Sequence, residues 1–103
     1  FTMEQGFYTD RLRAAGLRPV IPGDADRAEV HRIIYEELCR DITTTASRSV
    51  YERIAQNLVD EGADCVILGC TEVGMLLDES NVPAPVFDTT LIHCESAIDW
   101  ALD

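Results

Sequence analysis

The residue in this chain best suited to chemistry is a cysteine set between a glycine and a threonine, just after an apolar run. Gly69-Cys70-Thr71-Glu72 directly follows Cys65-Val66-Ile67-Leu68. A run that short, bounded by Asp64 and Gly69, reads as a buried parallel strand. Thr71-Glu72-Val73-Gly74-Met75-Leu76-Leu77 then predicts the start of a helix. Cys70 is thereby placed at the carboxyl end of a strand and the amino end of a helix, where open α/β sheets bind ligands. Unpaired N–H groups and the helix dipole at such a spot favour anions and lower a thiol's pKa from about 8.5. The expectation is a thiolate for acid/base or nucleophilic work. Against it stands the ordinary role of cysteine as a small packing residue.

The stretch Gly62-Ala63-Asp64-Cys65-Val66-Ile67-Leu68-Gly69-Cys70-Thr71-Glu72 resembles the second cysteine motif of the aspartate/glutamate racemase family. The resemblance continues into Val86-Phe87-Asp88-Thr89-Thr90-Leu91-Ile92-His93, similar to the family's last strand and helix. It also takes in Phe1-Thr2-Met3-Glu4-Gln5-Gly6-Phe7-Tyr8 and Ile33-Ile34-Tyr35-Glu36-Glu37-Leu38-Cys39, and so runs over nearly all of the chain. It implies an amino-acid racemase that needs no pyridoxal phosphate or other cofactor. It also implies that residues 1–103 are the second half of a two-domain protein about twice as long. On that reading an N-terminal domain of the same chain is missing here, and about 86–103 pack on it.

Inverting an amino-acid α-carbon removes a weakly acidic proton from one face and returns one to the other. Two acid/base groups must flank the carbon, and a cysteine with a tuned pKa can be one of them. Cys70 is that one. No other cysteine lies at the carboxyl end of a strand, and the resemblance places the second group in the absent half. The resemblance makes Glu72 an assistant to Cys70, at a position where related glutamate racemases have histidine. It can equally be a favourable acid in a helix's first turn. Thr71 can meet a substrate carboxylate, cap the helix, or do both. Arg40 matches a basic residue with which aspartate racemases bind the substrate's side-chain carboxylate, although Asp41 stands where the family pattern has glycine. A basic residue at a helix end is also ordinary dipole complementarity. His93 and Thr2 could line the same cleft, or serve as a satisfied helix histidine and a helix cap.

Strands alternating with helices must position these residues. Thr2-Met3-Glu4-Gln5 fits a capping box. The helix after it places Tyr8, Leu12 and Ala15 on one face and stops near Gly16. Arg18-Pro19-Val20-Ile21-Pro22 reads as a short strand. Gly23-Asp24 opens a helix through about Arg40, carrying Val30, Ile33, Ile34 and Leu38. Ser47 is the expected cap of the next helix, where Val50, Ile54 and Leu58 repeat, and Gly62 ends it. Asn81-Val82-Pro83-Ala84-Pro85 is a turn before the short strand Val86-Phe87-Asp88, and a last helix presents Leu91 and Ile98. The fold class is α/β, Rossmann-like or flavodoxin-like, with a mainly parallel sheet and flanking helices.

Composition fits a packed domain: 47% of the 103 residues are hydrophobic. The formal net charge of −11 leaves no basic footprint for nucleic acid. No apolar stretch is long enough to span a membrane and no signal peptide is evident, so the expected compartment is the cytoplasm. The four cysteines form no C-x-x-C pair, and His31 and His93 lack zinc-ligand spacing, so no metal site is expected. Cys39, Cys65 and Cys94 are expected to be packing residues. The partner implied is a small amino-acid substrate, with a homodimer left open. Two other readings remain: a decarboxylase or cis–trans isomerase of the same superfamily, and a noncatalytic domain in which Gly69-Cys70-Thr71 cups an anion.

Overall fold

The computed structural model describes residues 6–102. The elements run α1 (Gly6–Ala14), α2 (Asp24–Glu36), a 3₁₀ turn (Leu38–Arg40), α3 (Thr45–Asp60), β1 (Val66–Leu68), a second 3₁₀ turn (Val73–Met75), β2 (Val86–Asp88) and α4 (Thr89–Leu102). The two strands are parallel, with Val66 opposite Val86, Ile67 opposite Phe87 and Leu68 opposite Asp88. An α/β fold with a parallel sheet is therefore what the chain forms. The expected capping box at residues 2–5 lies outside the described residues.

Helix ends follow local chemistry. At the end of α3, Gly62 adopts φ 107°, a conformation that disfavours any side chain. Its N–H donates to the Val59 carbonyl and that of Ala63 to Leu58, which closes a Schellman motif. Gly16 ends α1 in the same way, with φ 88° and Leu17 N–H reaching the Leu12 carbonyl. The start of α3 differs from expectation: Thr44, not Ser47, is the cap, and its hydroxyl accepts from the Ser47 N–H at 3.0 Å. Ser47 has another partner, donating its own hydroxyl to Glu37 at 2.5 Å.

Two further expectations are corrected. α2 stops at Glu36, and the chain tightens into a 3₁₀ turn instead of continuing to Arg40. Asp41 takes the left-handed conformation, φ 59°, and Ile42 N–H returns to the Glu37 carbonyl. Aspartate tolerates that region better than most residues, so Asp41 does there what a glycine would do. Residues 18–22 form no strand. Pro19 and Pro22 lack the N–H groups that a ladder requires.

The core sits on one side of the sheet. Ile33 of α2 is fully buried, and Leu38, Tyr51, Ala55, Val66, Leu68, Leu76, Leu77 and Val82 pack around it. Ser47, Tyr51, Ile54 and Ala55 give α3 a buried stripe at helical spacing. β1 alternates, with Val66 and Leu68 buried and Ile67 turned the other way. On that other side Phe87 is also exposed, and α4 carries exposed Leu91, Ile92, Ile98 and Trp100. The last helix is present as expected, but its apolar residues have no cover among the described residues.

Because Ile33 is wholly enclosed, Ile33→Ala should cost about 2–5 kcal/mol of stability. A urea titration followed by circular dichroism measures it, and a loss below about 1 kcal/mol would mean the site is not sealed.

Candidate active site

The parallel pairing brings the carboxyl ends of β1 and β2 to one edge. Gly69 and Cys70 leave β1 there, and α4 starts from the end of β2. The Thr89 hydroxyl donates to the Leu68 carbonyl at 2.8 Å, tying the first residue of α4 to the last residue of β1. Asp88 caps α4: its Oδ1 accepts from the N–H groups of Thr90 at 3.0 Å and Leu91 at 3.3 Å.

The helix expected from Thr71 through Leu77 is a single 3₁₀ turn instead. Met75 N–H bonds to the Glu72 carbonyl and Leu76 N–H to that of Val73. Polar side chains beyond the turn offer the backbone other partners. Asp78 Oδ1 accepts from Ser80 N–H, and Asn81 accepts from Asp78 N–H. Asn81 also donates to the Leu76 carbonyl at 2.7 Å and to Glu52 of α3 at 3.2 Å. The full helix dipole expected at Cys70 is therefore absent.

Cys70 is half-buried, and its thiol donates to Glu72 Oε2 at 2.9 Å. Burial pushes the thiol's pKa up, and the hydrogen bond and charge of Glu72 push it the same way. The backbone N–H groups of Glu72 and Val73 act in the opposite direction and do not prevail. The expected lowering of the thiol pKa is thus reversed. Glu72 moves the other way: hydrogen bonds from Cys70 and then Thr71 hold its carboxyl below the usual range. The resting pair is a thiol that keeps its proton beside a carboxylate that lacks one. Such a pair stores a proton at Cys70 Sγ and accepts hydrogen bonds at Glu72.

Thr71 is exposed and serves Glu72, so it does not cap a helix. Cys70, Thr71 and Glu72 are thus one cluster. Arg40 is exposed in the turn after α2, and His93 is exposed on α4. Among the described residues neither makes a hydrogen bond or ion pair with the cluster. Thr2 lies outside the described residues. Cys65 is half-buried just before β1, whereas Cys39 and Cys94 are exposed, contrary to a packing role. No group of three or more His, Cys, Asp or Glu suited to a metal ion occurs among the described residues. No helix there is long and apolar enough to cross a membrane.

Sequence reasoning overlooked Tyr51. Its ring is buried in α3, its hydroxyl donates to the Val30 carbonyl at 3.0 Å, and burial raises its pKa, with charge at Cys70 and Glu37 adding to the rise. The signal was its place one turn before Ile54 and Ala55, on the buried stripe. Asp88 was overlooked as a cap although an aspartate before Thr-Thr is a helix-start pattern.

The family model for Asp/Glu/Hydantoin racemases matches residues 1–97. This chain belongs to that family. The racemase-family chain is similar to the crystal structure of a candidate Asp/Glu racemase from Yersinia pestis. The two share 47% identity and a TM-score of 0.93, over 99% of this chain and 45% of the other. An aspartate racemase homologue from Pyrococcus horikoshii OT3 is 35% identical, with a TM-score of 0.84, over 94% of this chain and 42% of that one. A curated relative, an uncharacterized protein from the pnlA 3' region of Pectobacterium carotovorum subsp. carotovorum, is 27% identical over 101 residues, 96% of this chain and 66% of its own length. The chain thus spans about two thirds of that relative and under half of each solved structure.

Replacing Glu72 tests the coupling of the pair. In Glu72→Gln the negative charge that disfavours the thiolate is gone, while burial remains. The midpoint of Cys70 alkylation by iodoacetamide, followed by peptide mapping across pH, should move to lower pH without reaching that of a fully exposed thiol. An unchanged or higher midpoint would show that the carboxylate does not act on Cys70.

Proposed function

We propose that this chain carries one half of the active site of an aspartate/glutamate racemase-like enzyme. The enzyme interconverts L- and D-amino acids by two-base proton transfer without a cofactor, and Cys70 is one acid/base group. The observation that carries this reading is the Cys70–Glu72 pair at the carboxyl edge of a parallel sheet, in a chain of the racemase family. Its resting protonation gives Cys70 a defined first task. Sγ holds the proton delivered to one face of a planar, carbanion-like α-carbon. In the opposite direction Sγ must take a proton: the N–H groups of Glu72 and Val73 then stabilise the thiolate, while the exclusion of water makes it a stronger base. Glu72 holds the thiol in place and can accept its proton in passing. Thr71, exposed beside them, is proposed to meet the substrate carboxylate. Arg40 and His93, which make no hydrogen bond or ion pair with the cluster among the described residues, and Thr2, which lies outside them, are also proposed for substrate binding.

Racemisation needs a second group on the opposite face. Cys65 lies at the amino end of β1, Cys39 in the turn after α2 and Cys94 within α4. None of them shares the edge that Cys70 occupies. The second group is therefore assigned to a preceding domain of a longer chain. Residues 86–103 are proposed to pack against that domain, which would cover the exposed apolar side chains of α4. The substrate is a small amino acid, with aspartate and glutamate the first to be tested.

One observation favours a second reading. A thiol that rests protonated also suits an enzyme that only donates a proton, such as a decarboxylase of the same superfamily. Racemisation of either enantiomer separates the two, because a one-way proton donor cannot exchange the α-hydrogen of both.

In the complete enzyme, Cys70→Ala should abolish racemisation with an unchanged circular dichroism spectrum. Cys70→Ser should do little better, since a hydroxyl is far too weak an acid and base at neutral pH. Near-normal turnover by folded Cys70→Ala would end this mechanism.

Residues 1–103 alone should not racemise L-aspartate or L-glutamate when the D-isomers are followed by chiral chromatography. Turnover that disappears in a Cys70→Ala control would place both bases within these residues or across a self-associated pair.

A further inference from the structure

The turn after Cys70 is held from behind by the buried Leu76 and Leu77 and by Asn81 and Arg48 on its carbonyls, and its front lies against the sheet edge. The loop leaves β1 at Leu68, whose register partner is Asp88. It passes Cys70 and Glu72 and then returns over the end of β2 at Gly74. A Cβ built on Gly74 would lie 3.1 Å from Asp88 Oδ2, closer than nearly all ordinary Cβ contacts. The other oxygen of the same carboxylate, Oδ1, is engaged by the Thr90 and Leu91 N–H groups of α4. Thr89, the next residue, donates to the Leu68 carbonyl at 2.8 Å. One carboxylate thus faces two elements: Oδ1 anchors α4, and Oδ2 fills the space that Gly74 leaves open.

We propose that Asp88 is a positioning residue for Cys70, holding the cysteine turn against the amino end of α4, and that Gly74 is glycine because the carboxylate needs that space. The proposal rests on the reading of Cys70 as the reactive group. Asp88 makes its hydrogen bonds to Thr90 and Leu91, not to Cys70. It acts through residues 73–75, which set where Glu72 meets the thiol. A methyl at position 74 requires the carboxylate or the turn to give by a few tenths of an ångström, and that shift is transmitted to the Cys70–Glu72 contact.

The groups that act on the Cys70 thiol are the Glu72 carboxylate and the backbone N–H groups of Glu72 and Val73, all from its own turn. A loosened turn exposes the thiol and lengthens its contact with Glu72. The Cys70 alkylation midpoint should then fall toward that of a free thiol.

The test is a double-mutant cycle on the complete protein with Gly74→Ala, Asp88→Ala and the pair, plus Asp88→Asn as the conservative control. Cys70 alkylation by iodoacetamide is followed by peptide mapping across pH, with circular dichroism recorded for each variant. Gly74→Ala alone should lower the midpoint and change the alkylation rate at fixed pH on the order of tenfold, the effect of a small misplacement at a reactive centre. In the Asp88→Ala background the same change should add no more than about twofold, because the clash partner is gone. Asp88→Asn keeps an oxygen to cap α4 and should stay close to the parent. If Gly74→Ala does not fold, Asp88→Ala must lower the midpoint with its circular dichroism unchanged. Equal effects of Gly74→Ala in both backgrounds, or an unmoved Cys70 midpoint in folded Gly74→Ala or Asp88→Ala, would overturn the proposal. Alkylation needs no turnover, so a coupled cycle in a protein without racemase activity would support the role of Asp88 while removing the racemase reading.

Discussion

The site depends on one short parallel pairing, three residues against three. Its register sets Leu68 beside Asp88, and everything chemical in the chain begins one or two residues beyond that pair. Had the register slipped by one residue, the buried and exposed faces of β1 would have exchanged. Val66 and Leu68 would then lose the core formed by Ile33, Leu38 and Tyr51, so hydrophobic burial sets the register. The same burial delivers Cys70 to the edge. The Thr89–Leu68 hydrogen bond adds a polar lock where the ladder ends.

Electrostatics at the edge are governed by competition between burial and local donors. A thiolate is stabilised by the N–H groups of its own turn but destabilised by partial burial and by the neighbouring carboxylate. Burial and carboxylate win in the resting protein. A site with this balance is sensitive to whatever enters it, because an incoming cationic group would reverse the sign of the field at sulfur. The raised thiol and the lowered Glu72 thus describe the free state.

Much of this was legible in the sequence, and the exceptions share a cause. The strand before Cys70 was marked by its apolar run, the end of α3 by Gly62, and the start of α2 by Gly23-Asp24. Each of those signals is local. The helix expected after Cys70 failed because Asp78 and Asn81 draw the backbone into turns. Arg18–Pro22 had the composition of a strand but lacked the donors to pair. Asp41 looked like a departure that would reshape its loop, yet it adopts the left-handed geometry itself. The pKa of Cys70 was misjudged because it depends on how deeply the thiol is buried and on where Glu72 points, and neither follows from residue spacing.

The exposed side of α4 has a practical consequence. The chain has a single tryptophan, Trp100, and it is 83% exposed on that helix. Tryptophan emission shifts to shorter wavelength when the indole leaves water. Any body that settles on the outer face of α4 would therefore be reported by the protein's own fluorescence, without a label. The buried core contains no second indole to obscure that signal. A helix that adds no buried residue to this core is thus one whose surroundings can be read by light.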